Sequence, residues 1–548
     1  MTRSVARAGL ASAALVTSLG TLLGRVLGLV RDMATAALFG LSQGPVLDAL
    51  IVALRVPNLF RALLGEGALA SAYLPVFTAE KERSSANAWA LATVVFARLT
   101  WALAGIVVVG ELCYALVWWF SPPEGDNRVL ALLGAIMLPY ALPVCLAVQL
   151  SATLNALGRF ALPAIVPVLF NVCWLAAVWL IAPRWPDSPV AQAAAVAAAV
   201  VVSGMLQVVV QVPALRRQGF RLDHRPAAVA EPLSEIARRF FPLVLGAAAV
   251  QINTFLDSMI AWGLSDGGNP HARIAWLGGI RPPLSQGAAA AIYFGERMYW
   301  LPVGLLGLAV ATAIFPRFSR HAADQRPDRL ASDLTAAARF VLFLAAPAAV
   351  ALVLFAVPLT RLLFERGAFS TDDAVRAARV VTAYGFGVPA FCALPIILRG
   401  FYAVGRTQTP SVLAAGMVLL NLLLNLTLVW PLAEAGLAVS TSICATLQAI
   451  VLLVVFSRTI SRIDGRSVAA AVFRTAAAVG VMILVGWGAM HALDRSNDQH
   501  GLMVRAMTLL APLSLSTAAY FATVLCLGDR PWRMPPEAGS SDHPKAQC

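Results

Sequence analysis

The first seventy residues combine an apolar composition with an unusual density of ionisable side chains. Within the apolar part of this region, from residue 9 onward, lie four arginines and three acids: Arg25, Arg31, Arg55, Arg61, Asp32, Asp48 and Glu66. An arginine at the centre of a membrane helix costs about 2.5–3.5 kcal/mol even on the mildest insertion scale. If this region crosses a membrane, these side chains must face a wet cavity, pair with acids or lie near an interface. The pattern therefore indicates a functional site.

Arginine narrows the chemistry, because its guanidinium group binds phosphate oxygens in a bidentate manner and stays charged at physiological pH. We expect four arginines to converge on a cationic cavity: Arg25, Arg31, Arg61 and, from a later apolar stretch, Arg297. This cavity would suit a phosphate or pyrophosphate anion, whereas a proton relay needs groups that titrate. Six further polar residues would support it: Asp32, Asp48, Arg55, Asn58, Glu66 and Glu296. Alternatively, Arg25 and Arg61 reach opposite interfaces and the other charges form internal salt bridges.

Helical spacing suggests how some of these charges are compensated. Arg25 and Asp32 are seven residues apart, as are Asp48 and Arg55, so each pair shares one face of a helix. Arg31 and Arg61 have no partner at such a spacing. Gly24, Gly28 and Pro57 would permit local unwinding beside the charges, which a membrane tolerates only where the backbone lines a cavity.

The composition places this site in a membrane protein. The 548 residues are 59% hydrophobic and only 13% charged, and the mean hydropathy is +0.77. A soluble domain has about 25% charged residues, so a water-soluble enzyme and a disordered chain are both excluded. In a membrane protein, the net charge of +13 reflects basic residues in the loops, which set the orientation of the spans, and does not indicate nucleic-acid binding.

Since a bilayer core needs about 20 apolar residues per helix, the sequence predicts an all-α polytopic membrane protein with fourteen transmembrane helices. The second and eighth predicted spans are long, and we expect kinks at Pro57, Pro75 and Pro302. The predicted spans lie near residues 9–33, 46–78, 89–120, 127–154, 161–183, 189–214, 236–263, 285–316, 336–359, 374–402, 411–430, 434–457, 468–493 and 504–527.

The loop charges predict the orientation of the spans. With the amino terminus in the cytoplasm, cytoplasmic segments carry 22 basic residues and the opposite loops carry 7, so the positive-inside rule places both termini in the cytoplasm. The alternative of a cleaved signal peptide after Arg3 and Arg7 is disfavoured, because the apolar run continues through Arg25 and Arg31 to Phe39.

Two short motifs recur and predict an internal duplication. Residues 68–77 match residues 309–318, 241 positions later, at five of ten positions. Ala156-Leu157-Gly158-Arg159 resembles Ala403-Val404-Gly405-Arg406, 247 positions later. Chance similarity between alanine-rich segments is the alternative. Because each pair joins spans six apart, the copies would form a parallel repeat about an axis along the membrane normal. We predict lobes at 1–230 and 231–460, two additional helices within 461–528 and a cytoplasmic tail at 529–548.

A second polar cluster admits two interpretations. It consists of Asp257 in the seventh predicted span, Asn421 and Asn425 in the eleventh, and Thr441 in the twelfth. One carboxylate with several neutral oxygens is suitable for a sodium ion. Hydrogen bonding between helices, which is common for Asn and Thr in membrane bundles, is the alternative.

Several motifs resemble the MurJ (MviN) family of lipid II flippases. They are GRVLGLVRD at 24–32, VPNLFR at 56–61, GEGAL at 65–69, ER at 296–297, LFERGAF at 363–369, GFY at 400–402 and TQTP at 407–410. The resemblance extends over nearly the whole chain. It implies a two-lobed exporter of the multidrug/oligosaccharidyl-lipid/polysaccharide superfamily, with two extra helices that form a groove for a polyprenyl tail.

The resemblance further implies a substrate, undecaprenyl-pyrophosphoryl-MurNAc-pentapeptide-GlcNAc, which is moved to the outer leaflet of the inner membrane for peptidoglycan synthesis. The essential cavity arginines of the family correspond to Arg25, Arg31, Arg61 and Arg297, its acid near the second span corresponds to Asp48, and a family sodium site resembles Asp257, Asn421, Asn425 and Thr441. We expect no catalysis and no cofactor beyond sodium or membrane-potential coupling. Cell-wall synthesis or division proteins are candidate partners. A flippase for a capsule or O-antigen oligosaccharide is the alternative function.

Overall fold

The computed structural model describes residues 2–65, 68–220, 226–269, 271–274, 278–493 and 501–528. This part of the chain is helical apart from its connections, in agreement with the predicted all-α class. The helices are α1 (Thr2–Phe39), α2 (Val46–Phe60), α3 (Ala68–Arg83), α4 (Ser85–Phe120), α5 (Asp126–Met137), α6 (Ala141–Ala156), α7 (Ala161–Ala176), α8 (Pro189–Arg217), α9 (Ala230–Gly263), α10 (Ala288–Pro302), α11 (Ala309–Ala323), α12 (Pro327–Leu354), α13 (Ala356–Phe364), α14 (Thr371–Gly385), α15 (Val388–Ala403), α16 (Gln408–Leu432), α17 (Glu434–Thr459), α18 (Gly465–Leu493) and α19 (Leu502–Cys526).

Ten helical segments within the described residues are long and apolar enough to cross a membrane, or eleven when α14 and α15, bent by 43°, count as one span. The chain is therefore a multi-pass membrane protein. The predicted spans outside this set correspond to α1, to α2 with α3, and to α9. Two of these regions carry the ionisable residues singled out above, which lowers their apolar character. The count of fourteen stays a prediction.

Two of the three proline sites mark irregular helix geometry, as expected. A π-helical turn at Arg61–Gly65 follows α2, which contains Pro57, and another at Val303–Leu308 follows Pro302 at the end of α10. Proline cannot donate a backbone hydrogen bond, so a local change of winding beside it is physically reasonable.

Pro75 lies inside α3 without a break, and a kink there stays a prediction. The expectation of local unwinding at Gly24 and Gly28 was wrong, because α1 is helical through both residues. These two glycines instead lie on a helix that approaches α7 closely. At Gly20, one turn before Gly24, a Cβ atom would lie only 2.8 Å from the carbonyl oxygen of Ala164. Small residues permit such contact between membrane helices.

The chain divides into two compact units, which do not follow the chain order strictly. The first contains residues 1–290 and 364–373, and the second contains residues 291–363 and 374–548. In the first unit an aromatic core joins α3, α4 and α6 around Tyr73, Phe77 and Trp89. In the second, Phe343 of α12 packs with Tyr520 of α19, whose hydroxyl donates to the Phe343 carbonyl oxygen over 2.8 Å. The predicted lobe boundary between 230 and 231 is not tested by this division.

The repeated motifs adopt the same local structure. α6 and α15 both end in a turn in which glycine has a positive φ, +72° at Gly158 and +73° at Gly405. In both turns the glycine N–H bonds to the carbonyl three residues back, and the following arginine N–H bonds to the carbonyl five residues back. This is a Schellman helix end, which glycine favours because it lacks a Cβ atom. Likewise, both copies of the longer motif are helical, in α3 and α11.

Candidate functional site

The centre of the site in the first unit is a buried ion pair between adjacent residues of α1. Arg31 donates from Nε and Nη2 to Oδ1 of Asp32, over 3.1 and 2.7 Å. Only 5% of Arg31 and 3% of Asp32 is exposed. The spacing suggested that Asp32 pairs with Arg25, seven residues away. That expectation was wrong, because the long side chain of Arg31 reaches the neighbouring Asp32 instead.

Helix α7 encloses this ion pair. The Nη1 atom of Arg31 donates to Oδ1 of Asn171 over 3.1 Å, and Asn171 donates in turn to the Gly24 carbonyl oxygen. The guanidinium carbon lies 5.2 Å from the ring centroid of Phe170 and 5.3 Å from that of Trp174. Aromatic faces attract a desolvated cation. Arg31 is therefore held as part of the α1–α7 interface, with its donors directed to protein groups.

Arg61 lies at the first position of the π-helical turn and is half-buried. Its Nε atom donates to Oδ1 of Asn58 over 3.2 Å, so Asn58 orients this arginine. The hydroxyl of Tyr140 is within electrostatic reach of both Arg61 and Arg31. The Tyr140 ring also stacks on Phe170, with centroids 5.8 Å apart. The fold thus brings Arg31 and Arg61 to one region of the first unit.

Arg25 differs from both, because its side chain is exposed. Within the part of the chain that the structure describes, it forms no hydrogen bond or ion pair. A guanidinium group in this state is available to a ligand at no cost in internal contacts. The four predicted arginines are therefore not equivalent.

Asp48 has a structural partner that the sequence did not indicate. Its buried carboxylate accepts from the backbone N–H of Gly287 over 2.8 Å and of Ala290 over 2.7 Å, at the start of α10. An acid at this position satisfies otherwise unpaired N–H groups and complements the positive end of the helix dipole. Arg55, its expected partner by spacing, donates from Nε to Oγ of the buried Ser258 on α9 over 3.1 Å.

The remaining predicted cavity residues fall in two places. In the second unit, Arg297 of α10 is exposed, while the neighbouring Glu296 is buried. Tyr293, one turn earlier, accepts a hydrogen bond from Nη2 of Arg297 over 2.9 Å, and the guanidinium lies 4.6 Å from the centroid of its ring. Glu66 lies outside the described residues.

The candidate sodium ligands likewise divide between the units. Asp257, in the first, is buried and accepts a long hydrogen bond of 3.5 Å from Asn253. In the second, Nδ2 of Asn425 donates to Oδ1 of Asn421 over 2.8 Å, and Nδ2 of Asn421 donates to the Thr441 hydroxyl over 3.2 Å. These bonds between α16 and α17 match the alternative interpretation of the cluster, which is hydrogen bonding between helices. A sodium site stays a prediction.

The site residues that sequence reasoning missed are mainly aromatic and amide groups. Asn171 was visible as a lone amide in an apolar span, and Tyr293 precedes Arg297 by one helical turn. Phe170 and Trp174 gave no such signal, because aromatic residues in an apolar helix are ordinarily core residues. Only the packing of α7 against α1 gives them a role.

Comparison with solved structures identifies the fold. The chain superposes on a multidrug resistance MATE family transporter of the MOP superfamily, in an inward-facing conformation, with a TM-score of 0.62. The match covers 82% of this chain and 98% of the transporter at 15% sequence identity. This chain therefore shares the fold of that transporter.

Sequence comparison identifies the family of this chain, which is a more specific assignment than the fold. The family model described as lipid II flippase MurJ matches residues 35–508, and the chain belongs to that family. It is 33% identical over 454 residues to the lipid II flippase MurJ of Burkholderia cenocepacia, a match that covers 80% of this chain and 82% of the relative. A solved MurJ structure, described as an inward closed conformation, superposes with a TM-score of 0.72 at 20% identity, over 93% of this chain and all of that one. The resemblance drawn from the sequence motifs is confirmed. The protein is a multi-pass protein of the inner membrane.

Proposed function

We propose that this protein is a lipid II flippase, which moves undecaprenyl-pyrophosphoryl-MurNAc-pentapeptide-GlcNAc across the inner membrane for peptidoglycan synthesis. Membership of the MurJ family supports the activity. The observation that carries the mechanism is the set of arginines within a largely apolar helical protein, of which Arg25 is exposed and Arg61 half-buried. Arginine binds pyrophosphate oxygens without a change in protonation.

The arginines would divide the work. Arg25, Arg61 and Arg297 would bind the pyrophosphate, because their side chains are exposed or half-buried. Arg31 would position α1 against α7, because its donors bond to Asp32 and Asn171. Asp48 would orient α10, the helix that carries Arg297, by binding its first N–H groups. The polyprenyl tail would stay in the lipid beside α18 and α19, and no covalent bond would be broken.

The proposed transport cycle is alternating access between two six-span lobes, with fourteen spans in all and both termini in the cytoplasm. Two observations support the duplication: the matching helix ends at Gly158 and Gly405, and the π-helical turns at Arg61–Gly65 and Val303–Leu308. Parallel repeats of this kind are common among secondary transporters. Because each elementary charge moved is worth about 2.3 kcal/mol per 100 mV, the membrane potential would help to reset an empty cationic site.

The decisive experiment is a leaflet-accessibility assay with purified protein in lipid vesicles. Lipid II incorporated in the inner leaflet should become accessible to an external probe when the protein is present, and remain protected in protein-free vesicles. Arg25→Ala should reduce this rate at least tenfold. An unchanged rate of lipid II exposure with and without the protein would contradict the proposal.

The same vesicles separate the alternative substrates and the energy source. A capsule-type or O-antigen oligosaccharide on the same undecaprenyl pyrophosphate should flip much more slowly than lipid II, and the opposite preference would assign the protein to that substrate. Replacing sodium by choline tests sodium coupling. An imposed membrane potential of either sign tests electrical coupling. A rate of lipid II exposure that does not change with the potential would contradict such coupling.

A further inference from the structure

The turn between α1 and α2 is bound by a short segment from much later in the chain. Residues 364–373 belong to the first compact unit, although the chain on either side of them belongs to the second. We define the contact between residues 37–43 and residues 366–373 as the clasp. Its backbone core is a hydrogen bond from the Ala368 N–H to the Ala37 carbonyl oxygen, over 2.8 Å, and Nε2 of Gln43 donates to the Ala368 carbonyl oxygen over 3.2 Å.

The clasp is centred on a buried carboxylate. Asp373 is 1% exposed. Its Oδ2 atom accepts from the Leu41 N–H over 3.1 Å, and its Oδ1 atom accepts from the Ser42 hydroxyl over 2.5 Å. A hydrogen bond to an ionised group is worth about twice a neutral one. These two bonds join elements more than 330 residues apart in the sequence.

Asp373 also has an ordinary structural role, which must be separated from the clasp. It accepts from the Ser370 N–H, and its own N–H donates to the Ser370 hydroxyl, each over 3.1 Å. This reciprocal pair is a capping box at the start of α14. A capping box needs neither Leu41 nor Ser42, so the bonds to the α1–α2 turn are additional.

Two glycines show that the fit is close on both sides. Gly40 has a φ of +63°, and a Cβ atom there would collide with the Ala368 carbonyl oxygen. Gly367 has a φ of +59°, and a Cβ atom there would collide with the Ala37 carbonyl oxygen. Each turn thus places its backbone against the other, in a contact that only glycine permits.

We propose that the clasp is a gate of the transport cycle, with Asp373 as its positioning residue, and that it must open for lipid II to leave on the outer side. This inference rests on the proposed function and on the proposed topology, in which the end of α1 faces outward. The clasp binds the carboxyl-terminal end of α1, the helix that carries Arg25 and Arg31. Its buried charge-assisted bonds give two discrete states, formed or broken, as a gate requires.

A reversible cross-link tests whether opening is needed. In a background without native cysteines, Ser42→Cys with Asp373→Cys should form a disulfide on oxidation, and Ser42→Cys alone serves as the oxidation control. Lipid II exposure in vesicles should fall at least tenfold in the oxidised double variant and recover on reduction. If the cross-linked protein flips lipid II as fast as the same variant does after its disulfide is reduced, the clasp is not a gate, while the proposed function stands.

A second measurement does not depend on transport. Leu41, fully buried in the clasp, is changed to Cys and labelled with a membrane-impermeant maleimide. Asp373→Asn and Ser42→Ala should each raise the labelling rate about tenfold, whereas Asp372→Asn, an exposed acid of the same helical turn, and Ser370→Ala, which removes only a capping partner, should not. If no variant flips lipid II, the proposed function fails and this rate still decides whether the clasp opens. Equal labelling rates for Ser42→Ala and Ser370→Ala would show that Asp373 serves only to cap α14.

Discussion

The neighbouring residues Arg31 and Asp32 show how burial decides what a charge in the membrane does. Each is almost inaccessible, and they bond to one another and to Asn171. Arg25, six residues earlier on the same helix, is exposed. The same residue type therefore stabilises the helix pair at one position and is available to an anion at the other.

The two arginines should give different phenotypes on substitution. Arg31→Ala leaves the Asp32 carboxylate buried without its partner, which typically costs about 3–5 kcal/mol, so the thermal unfolding temperature of the purified protein should fall together with transport. Arg25→Ala should abolish lipid II exposure at an unchanged unfolding temperature. Both temperatures can be measured on detergent-solubilised protein. A large loss of stability in Arg25→Ala would mean that this side chain is structural as well.

A double variant checks the ion pair itself. Replacing Arg31 and Asp32 together by leucine removes both charges, so it should cost less stability than the sum of the two single leucine substitutions. The measurement is the same thermal unfolding of the purified protein. Additive losses would indicate that the two side chains act independently.

At the scale of the element, the start of α10 is held by close contacts with α2 and with the turn after α1. Asp48 of α2 binds the first N–H groups of α10, and Gly287 just before that helix has a φ of +92°. A Cβ atom at Gly287 would lie 2.5 Å from the Leu41 carbonyl oxygen. The turn after α1 and the start of α10 therefore fit together only with glycine at this position.

Gly287→Ala should consequently destabilise the protein more than Gly44→Ala. Both glycines have a positive φ, but a Cβ atom at Gly44 would meet nothing within 4 Å. The Gly44 variant should cost about 1–2 kcal/mol from backbone strain, and the Gly287 variant should cost strain and a backbone collision. Thermal unfolding of the two variants side by side measures the difference. Equal losses would show that the start of α10 can shift to accept a methyl group.

At a strained residue between α16 and α17, substitution by glycine should stabilise the protein. Ala433 has φ +49° and ψ −137°, a conformation that L residues rarely adopt. Ala433→Gly should relieve a strain of about 1–3 kcal/mol and lose part of it to the greater entropy of the unfolded chain. We expect a net gain of about 1 kcal/mol in the free energy of unfolding. Ala415→Gly, at an exposed position inside α16, is the control and should lose about 0.5–1 kcal/mol.

At the scale of the whole molecule, hydropathy and loop charge predict how the chain crosses the membrane. Alkaline phosphatase fused at the carboxyl terminus should be inactive if that end is cytoplasmic, and active when fused after His491 at the end of α18. The physical basis is the excess of arginine in the predicted cytoplasmic segments. An active fusion at the carboxyl terminus would reverse the proposed topology.

The sequence alone determined the membrane class, most helix positions, the proline sites at Pro57 and Pro302 and the family, because these depend on composition, short-range periodicity and local motifs. It also identified Arg25, Arg31, Arg61 and Arg297 as the unusual charges. Only the tertiary structure decided their partners. Asp32 bonds to its neighbour Arg31, Asp48 binds the start of α10, and Asp373 binds the α1–α2 turn. Such contacts depend on which helices pack together, and a long side chain can reach several partners that spacing along one helix does not distinguish.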